Sequence, residues 1–400
     1  MPPIILPAIW LIVFIVGLPQ FSETVYSPSL PDIARDLSVA ESMVEYTLTI
    51  YLLGIGLGTL FWGKLSDRIG RKPCVIAGLI IFIIGCIGCY FSSSIEMLLI
   101  SRFVQALGGG IGSVIGQAIC RDVFHGAAAG KAFSTIGSSL AIFPALGPII
   151  GGVIAQQSGW PNIFLFLIIV SIILMIAVLL RLPETHLREN RNPISLLKVG
   201  LILIKDKQVV GFALIVGACN GIVFSYFAEG PFYLIEILGL TPSQFGLSFF
   251  GIAFSSMAGG MLAKKLTDHK TAVVIINYGL IITLISTFLF SICILIHSYI
   301  LQLPIYAIVT LTILSHMAAI FGITMATSNS LSACLVQYKW CIGTASSLFG
   351  FFYYSLISLF TLGMGLLHNG TLLPMPLYFF TLALCALIAK KLLVGKSVKE

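Results

Sequence analysis

The chain has 400 residues, of which 58% are hydrophobic and only 9% are charged. A soluble protein is about one quarter charged, so this composition excludes an ordinary water-soluble fold and indicates a chain surrounded by lipid. The formal net charge of +7 does not indicate nucleic-acid binding, because the basic residues are spread over alternate connections between apolar runs.

Taken in chain order, the apolar runs predict twelve membrane-spanning helices, because each reaches the ~20 residues that cross a bilayer. These runs use most of the chain, so the sequence predicts an all-α membrane protein without a soluble catalytic domain. The predicted spans are residues 5–27, 43–63, 73–92, 97–121, 131–156, 161–181, 208–229, 243–263, 271–297, 303–330, 341–367 and 373–394.

The connections between these spans alternate in charge. The first is net acidic and includes Asp32 and Asp36, whereas the second is net basic. Basic connections of membrane proteins lie in the cytoplasm, and an even number of spans then places both termini there. The basic set contains Lys64, Arg68, Arg71, Lys72, Lys131, the segment 182–207, Lys264, Lys265, Lys270, Lys339, Lys390, Lys391, Lys396 and Lys399.

Residues 182–207 form the one long polar interruption, and they alternate basic with apolar side chains. We interpret this segment as a cytoplasmic linker with a short helix on the membrane surface. It divides the chain into six-helix bundles at residues 1–181 and 208–400. A weak repeat, residues 65–67 against residues 266–268, relates the two halves. Paired halves with a site between them are typical of transporters.

The most informative motif is residues 63–73, Gly-Lys-Leu-Ser-Asp-Arg-Ile-Gly-Arg-Lys-Pro. Its glycines permit close backbone approach and turning, and Asp67 is an anion suited to a helix N-terminus. The overlapping residues 58–64 fit the pattern GxxxxGK of phosphate-binding loops. Leu65 replaces the required Ser or Thr, and the pattern ends a membrane helix, so we expect no nucleotide binding.

This motif resembles that of major facilitator transporters, and several other segments strengthen the resemblance. Together they are similar to the Bcr/CflA branch of bacterial drug:proton antiporters. The additional matching segments are residues 28–31, 102–105 with 108–110, 121–124, 147–152, 182–185 and 230–232.

The resemblance implies two pseudo-symmetric six-helix bundles in a bacterial inner membrane. It also implies that Asp67 latches the halves in one access state by docking near residues 342–344, at the start of the eleventh span. The residues assigned to this conformational latch are Gly63, Asp67, Arg68, Gly70, Arg71, Arg121 and Asp122.

The fifth span contains a pattern of prolines and glycines that predicts a bent helix with a smooth surface. The resemblance associates this pattern with antiporters and places it where the halves meet. The residues concerned are Pro144, Gly147, Pro148, Gly151 and Gly152.

Two charged residues lie inside predicted spans at similar depth, Glu23 and Arg102. A buried charge is expensive, so each requires a partner or an aqueous cavity, and their matching depth makes an ion pair possible. Gln105 lies one turn from Arg102 and is its natural hydrogen-bond partner. Related antiporters carry an acid at the position of Thr24, two residues before Tyr26. This offset leaves open whether Glu23 faces the cavity, because one residue turns a helix by about 100°.

The seventh span contributes further candidates for the substrate or proton pathway, namely Asn220, Tyr226 and Glu229. Glu229 is either a titrating group or an interfacial carboxylate that faces water, and we expect the latter. The histidines at 297, 316 and 368 show no ligand spacing. We therefore expect no metal site and no enzymatic activity.

These observations predict proton-coupled export of small, amphipathic molecules by alternating access. The alternative is proton-coupled uptake or export of one specific metabolite or siderophore-like compound. The expected partners are the substrate, protons and the lipid bilayer, with no cofactor beyond the proton gradient, no nucleic acid and no nucleotide. A monomer suffices for this mechanism.

Overall fold

The computed structural model describes residues 7–123, 136, 139, 142–185 and 196–395, apart from the side chains of Gln117, Arg121 and Lys339. Eleven helices in this part of the chain are long and apolar enough to cross a membrane. One further helix, α5, has 16 described residues. The helices are α1 Ile9–Val25, α2 Glu41–Ile69, α3 Arg71–Tyr90, α4 Ile95–Val123, α5 Phe143–Ser158, α6 Pro161–Arg181, α7 Lys207–Pro231, α8 Pro242–Leu266, α9 Ala272–Tyr299, α10 Ile305–Ala333, α11 Ile342–Leu367 and α12 Pro374–Ala389.

The helices form two groups, α1–α6 and α7–α12, that meet along two extensive contacts. Helix α2 packs against α11, and α5 packs against α8. We call the end where α2 meets α3 and α8 meets α9 the basic end, because its turns carry Lys and Arg. The end where the chain enters α2 and where α11 meets α12 is called the acidic end.

The motif at residues 63–73 is almost entirely helical, which differs from the predicted loop. Helix α2 runs through Ile69, and α3 begins at Arg71, so Gly70 alone makes the turn. Gly70 has φ +109°, a region that side chains disfavour, and this explains the glycine. Gly63 instead lies inside α2, where a Cβ atom would come within 2.6 Å of the Ser347 hydroxyl oxygen on α11.

Two other boundaries differ from the predicted spans. Helix α1 is followed by a short 3₁₀ turn at Ser27–Ser29 and a further helix at Leu30–Asp36, so the first helical unit extends beyond Pro28. Helix α7 includes Pro231 and is followed directly by the π-helix Phe232–Ile237, so this helical unit is longer than the predicted span. Pro231 has no N–H for the Phe227 carbonyl one turn earlier, and the Ser27 hydroxyl donates to that carbonyl.

The segment between the halves contains a short helix, Leu196–Lys205, where a surface helix is predicted. Asp206 then caps α7, since its Oδ1 accepts hydrogen bonds from the backbone N–H groups of Gln208 and Val209. Residues 186–195 of the predicted linker and residues 131–135, 137, 138, 140 and 141 of the predicted fifth span lie outside the described residues.

Candidate functional site

A cavity of about 600 Å³ lies between the two halves at the basic end. The first half contributes residues of α2 and α4, and the second contributes the end of α10 and the first turns of α11. Most of the side chains that line the cavity are small or carry a hydroxyl group, and two are aromatic. The residues that characterise it are Thr59, Ser113, Ser332, Ser346, Ser347, Phe349 and Tyr353. Its volume is within the range of about 300–1,000 Å³ that is usual for small-molecule sites.

The acidic end is closed by direct contacts between the halves. The Ser27 hydroxyl donates a hydrogen bond to the backbone carbonyl of Phe227, and the Ser358 hydroxyl donates to that of Thr49. Each of these bonds joins one half to the other. The cavity is therefore accessible from the basic end and sealed at the acidic end.

Arg71 organises the rim of the cavity. Its Nη1 donates to Ser66 Oγ and to Asp67 Oδ1, both at 2.7 Å, and its Nε donates to Asp122 Oδ2 at 3.0 Å. The Glu184 carboxylate accepts a hydrogen bond from the backbone N–H of Arg71 at 2.8 Å, at the N-terminus of α3. An anion is favoured there by the helix dipole, so Glu184 ties the segment after α6 to α3.

The latch predicted for Asp67 is not engaged in this structure. Asp67 bonds to Arg71 in its own half, although it and Gly343 of α11 line the same cavity. The structure thus places Asp67 across an open cavity from its predicted docking site. The side chain of Arg121 lies outside the described residues, whereas Asp122 joins the Arg71 network. Arg68 is exposed near the end of α2.

Arg102 is completely buried in the first half. As the helical spacing predicts, its Nη1 donates to Gln105 Oε1, at 2.6 Å. The guanidinium carbon lies 4.1 Å from the ring centre of Tyr51 and 4.5 Å from that of Tyr26. These aromatic faces stabilise the cation without an opposite charge in contact. Gln105 is held in turn by Ser22, which accepts from its Nε2 at 3.1 Å.

Glu23 is buried like Arg102, but the two do not form the ion pair that their matching depth made possible. Oε1 of Glu23 has no hydrogen-bond partner, and neither do Nε and Nη2 of Arg102. The Glu23 carboxyl still lies within electrostatic range of Arg102 and of Tyr353, which lines the cavity. Thr24 faces Gly147 of α5 instead. The one-residue offset therefore directs Glu23, and not residue 24, toward the centre of the protein.

Four side chains converge at the acidic end, and we call them the Glu–His cluster: Glu41, Glu45, Glu229 and His368. Nε2 of His368 lies 2.7 Å from Glu41 Oε2, and its Nδ1 lies 2.8 Å from Glu229 Oε2 and 3.4 Å from Glu45 Oε1. Glu41 and Glu45 come from the first half, whereas Glu229 and His368 come from the second. The hydrogen bond to Glu229, followed by the charges of Glu229 and Glu41, raises the pKa of His368 against the effect of its burial.

The expectation that Glu229 faces water is wrong. Its side chain is 1% exposed, because the helical backbone continues after Pro231 as the π-helix Phe232–Ile237 and keeps Glu229 inside the bundle. Glu41, Glu45 and His368 were not among the predicted site residues. Glu45 and His368 are separated by more than three hundred residues, so no local spacing brings them together. The acidic residues before the second span and the histidine after the eleventh were the available signals.

The glycines of α5 pack against both halves. A Cβ atom on Gly151 would lie 1.8 Å from the carbonyl oxygen of Val25 in α1. One on Gly152 would lie 2.4 Å from the carbonyl oxygen of Pro242, at the start of α8. Pro148 lies inside α5, and its carbonyl oxygen approaches Gly246 of α8 equally closely. The pattern thus permits backbone contact between halves, and Pro144 occupies the first turn of the helix.

The remaining predicted pathway residues are distributed around the core. Tyr26 is buried, and its hydroxyl lies 3.0 Å from that of Thr47. Tyr226 is buried and stacks on the His316 ring, with 3.7 Å between ring centres. Asn220 Nδ2 donates to the Val216 carbonyl in its own helix. None of these residues lines the cavity described above.

Comparisons with known proteins agree with this architecture. A family model described as Major Facilitator Superfamily matches residues 9–361. An uncharacterized transporter of Rickettsia felis is 33% identical over 391 residues, which cover 95% of this chain and 94% of the relative. A bicyclomycin resistance protein homolog of Haemophilus influenzae is 31% identical over 272 residues, which cover 67% of this chain and 68% of the relative. The latter similarity fits the Bcr/CflA resemblance of the motifs.

The fold is also similar to a solved structure. A bacterial homolog of the human lysosomal transporter Spinster, in an inward-facing and occupied conformation, superposes with a TM-score of 0.70. The match covers 96% of this chain and 94% of that chain at 14% sequence identity. At this identity the likeness concerns the fold alone.

Proposed function

Because this chain belongs to the Major Facilitator Superfamily, we propose that it is a proton-coupled exporter of small, amphipathic molecules that works by alternating access. The observation that carries the proposal is the cavity between the halves, which is accessible from one end and closed at the other. A site of about 600 Å³ suits a drug-sized ligand. The similarity to a bicyclomycin resistance protein homolog supports an antibiotic-like substrate class.

The proposed direction of transport depends on orientation. The basic end faces the cytoplasm in this proposal, since Lys and Arg accumulate in its connections. The cavity then receives substrate from the cytoplasm. Two exposed positions test the orientation by labelling with a membrane-impermeant maleimide, His269→Cys at the basic end and Thr371→Cys at the acidic end. Labelling of 371 in intact cells, and of 269 only after permeabilisation, is the expected result. The reverse pattern would contradict it.

Glu23 is the proposed proton carrier. It is a buried carboxyl whose Oε1 has no hydrogen-bond partner, and it lies within electrostatic range of Arg102 and of the cavity residue Tyr353. A proton on Glu23 removes the negative charge that balances Arg102, and this changes the electrostatic interactions of the buried guanidinium. Proton binding from the acidic end would thereby favour the conformation that releases substrate there.

Transport in everted membrane vesicles tests both parts of the proposal. A resistance screen in a strain without its own exporters supplies the substrate, and an imposed pH gradient then drives its accumulation. We expect Glu23→Gln to abolish gradient-driven accumulation while substrate binding persists, and Glu23→Asp to restore part of the coupling. Full transport by Glu23→Gln would exclude Glu23 as the carrier. If the wild type accumulates the same amount of substrate with and without the pH gradient, proton coupling is excluded.

A further inference from the structure

We propose that the Glu–His cluster at the acidic end binds one divalent transition-metal cation of the Zn²⁺ type. Its ligands are a carboxylate oxygen from each of Glu45 and Glu229 and Nδ1 of His368, and Glu41 orients the imidazole. The three candidate ligand atoms all lie within 4.8 Å of one another. Metal binding is additional to transport, and it is tested without reference to any substrate.

The first argument is a deficit of hydrogen-bond donors. An imidazolium has two N–H groups, and here they face Glu41 and Glu229. Both oxygens of Glu45 and Oε1 of Glu229 therefore remain without a hydrogen-bond partner. The two side chains are 0% and 1% exposed, so bulk water does not reach these oxygens. Unsatisfied buried carboxylate oxygens aimed at a shared centre are suited to a cation.

The second argument is charge. The cluster concentrates three carboxyl groups around a single imidazole, and no Lys or Arg forms an ion pair with it among the described residues. Like charges this close in a buried site repel one another strongly. A divalent cation balances the two buried carboxylates and leaves Glu41, which is 40% exposed, to bond the neutral imidazole.

The third argument is geometry. Zinc bonds to nitrogen and carboxylate oxygen are about 2.0–2.2 Å long, so neighbouring ligand atoms of a tetrahedral site are about 3.4 Å apart. Nδ1 of His368 lies 3.4 Å from Glu45 Oε1 and 2.8 Å from Glu229 Oε2. A small side-chain shift thus makes room for the ion. The contact between Nε2 and Glu41 at 2.7 Å reproduces the carboxylate–histidine–metal arrangement that fixes the tautomer of a ligating histidine.

The site has a conformational consequence because its ligands come from both halves. Glu45 lies on α2, Glu229 lies on α7, and His368 follows α11. A bound cation therefore connects the halves at the end that is closed in this structure. It stabilises the state whose cavity is accessible from the basic end, and it inhibits any cycle that must open the acidic end.

Direct binding to the purified protein tests the proposal, with a purification tag that contains no histidine. We expect isothermal titration with ZnCl₂ to show about one site per chain. Glu45→Gln and His368→Gln should each weaken this site by at least about tenfold, and Glu41→Gln by about 10- to 100-fold, the usual effect of losing a group that orients a metal ligand. Hydrogen-exchange mass spectrometry should show Zn²⁺-dependent protection of peptides covering residues 37–46 and 366–373.

Glu96→Gln is the matched control, because Glu96 is an exposed carboxylate at the same end of the bundle and outside the cluster. It should bind Zn²⁺ like the wild type. Each variant is first checked by size-exclusion chromatography, and Glu41→Gln, at the exposed edge, provides a reading if a buried substitution prevents folding. Two results overturn the proposal: the absence of a stoichiometric site in the wild type, as expected if protons alone occupy the cluster, or a site of unchanged affinity in the cluster variants.

Discussion

Gly63 on α2 and Ser347 on α11 approach each other so closely that a Cβ atom on the glycine would lie 2.6 Å from the serine hydroxyl oxygen. This contact lies at the cavity wall and joins the two halves. We expect Gly63→Ala to separate α2 from α11, with a steric cost of about 1–3 kcal/mol that exceeds the helix-propensity gain of about 1 kcal/mol. Thermal unfolding of the purified protein and vesicle transport should both reveal the loss.

A second substitution, Ser347→Ala, should rescue Gly63→Ala, and Gly343→Ala is the matched control. Ser347→Ala removes the nearest atom and leaves the next contact, the Ser347 Cβ, at 3.3 Å, so the double variant should recover most of the lost stability. Gly343 lies on α11 and lines the same cavity, but a Cβ atom there would meet nothing within 4 Å. Gly343→Ala should therefore be neutral or stabilising by up to about 1 kcal/mol, the propensity gain without a steric cost. An equal loss in Gly343→Ala would argue against steric separation of the halves.

The two carboxylates that bond Arg71 are expected to differ in role. Asp122 is 18% exposed and Asp67 is 47% exposed, whereas Arg71 is 7% exposed. Asp122→Asn leaves a buried guanidinium poorly paired and should lower the free energy of unfolding by about 2 kcal/mol. Asp67→Asn should cost less than about 1 kcal/mol, since exposed ion pairs contribute little.

Transport measurements distinguish a latch role of Asp67 from its role in the hydrogen-bond network of Arg71. If Asp67 docks at the start of α11 in the other access state, Asp67→Asn loses an anion at a helix N-terminus, worth about 0.3–1 kcal/mol. Turnover should then fall about two- to fivefold while the melting temperature hardly changes. If Asp67→Asn instead lowers the melting temperature as much as Asp122→Asn and reduces transport in proportion, Asp67 acts only in the hydrogen-bond network of Arg71.

The membrane helices were predictable because lipid requires long apolar runs, and local spacing identified Gln105 as the partner of Arg102. The sites that combine distant segments were not predictable in this way. Glu184 reaches the N-terminus of α3 from beyond α6, and His368 meets Glu45 from the far end of the chain. Such contacts depend on how helices pack, which periodicity does not encode. Whether Glu23 faced inward was likewise decided by the packing of Thr24 on Gly147.

The glycines of α5 allow packing within one half to be distinguished from packing between halves. Gly151→Ala would force a Cβ atom to 1.8 Å from the Val25 carbonyl oxygen in the same half, where the backbone has little freedom. We expect a loss of about 1–3 kcal/mol in unfolding free energy or failure to accumulate in the membrane. Gly260→Ala on α8 is the control, since its nearest neighbour would be at an ordinary 3.7 Å.

Gly152→Ala should behave differently, because its obstacle is the Pro242 carbonyl of the other half. Separation of the halves at this contact relieves the clash, so the variant should fold but favour the state in which the acidic end is open. Labelling of Ser358→Cys, whose hydroxyl joins the halves at that end, reports this change. Labelling that is no faster with Gly152→Ala than without it would contradict a gating role for this glycine.

Glu23 and Arg102 should be energetically coupled although they do not touch. Arg102 is 0% exposed and Glu23 is 2% exposed, so neutralising either one leaves the other as an unbalanced buried charge. Arg102→Met and Glu23→Gln should each destabilise the protein, and the double variant should be more stable than the sum of the single effects by about 1 kcal/mol or more. Chemical or thermal unfolding of the four proteins measures this difference. Additivity within about 0.5 kcal/mol would mean that the two charges act independently, and the coupling of proton binding on Glu23 to Arg102 would then lose its physical basis.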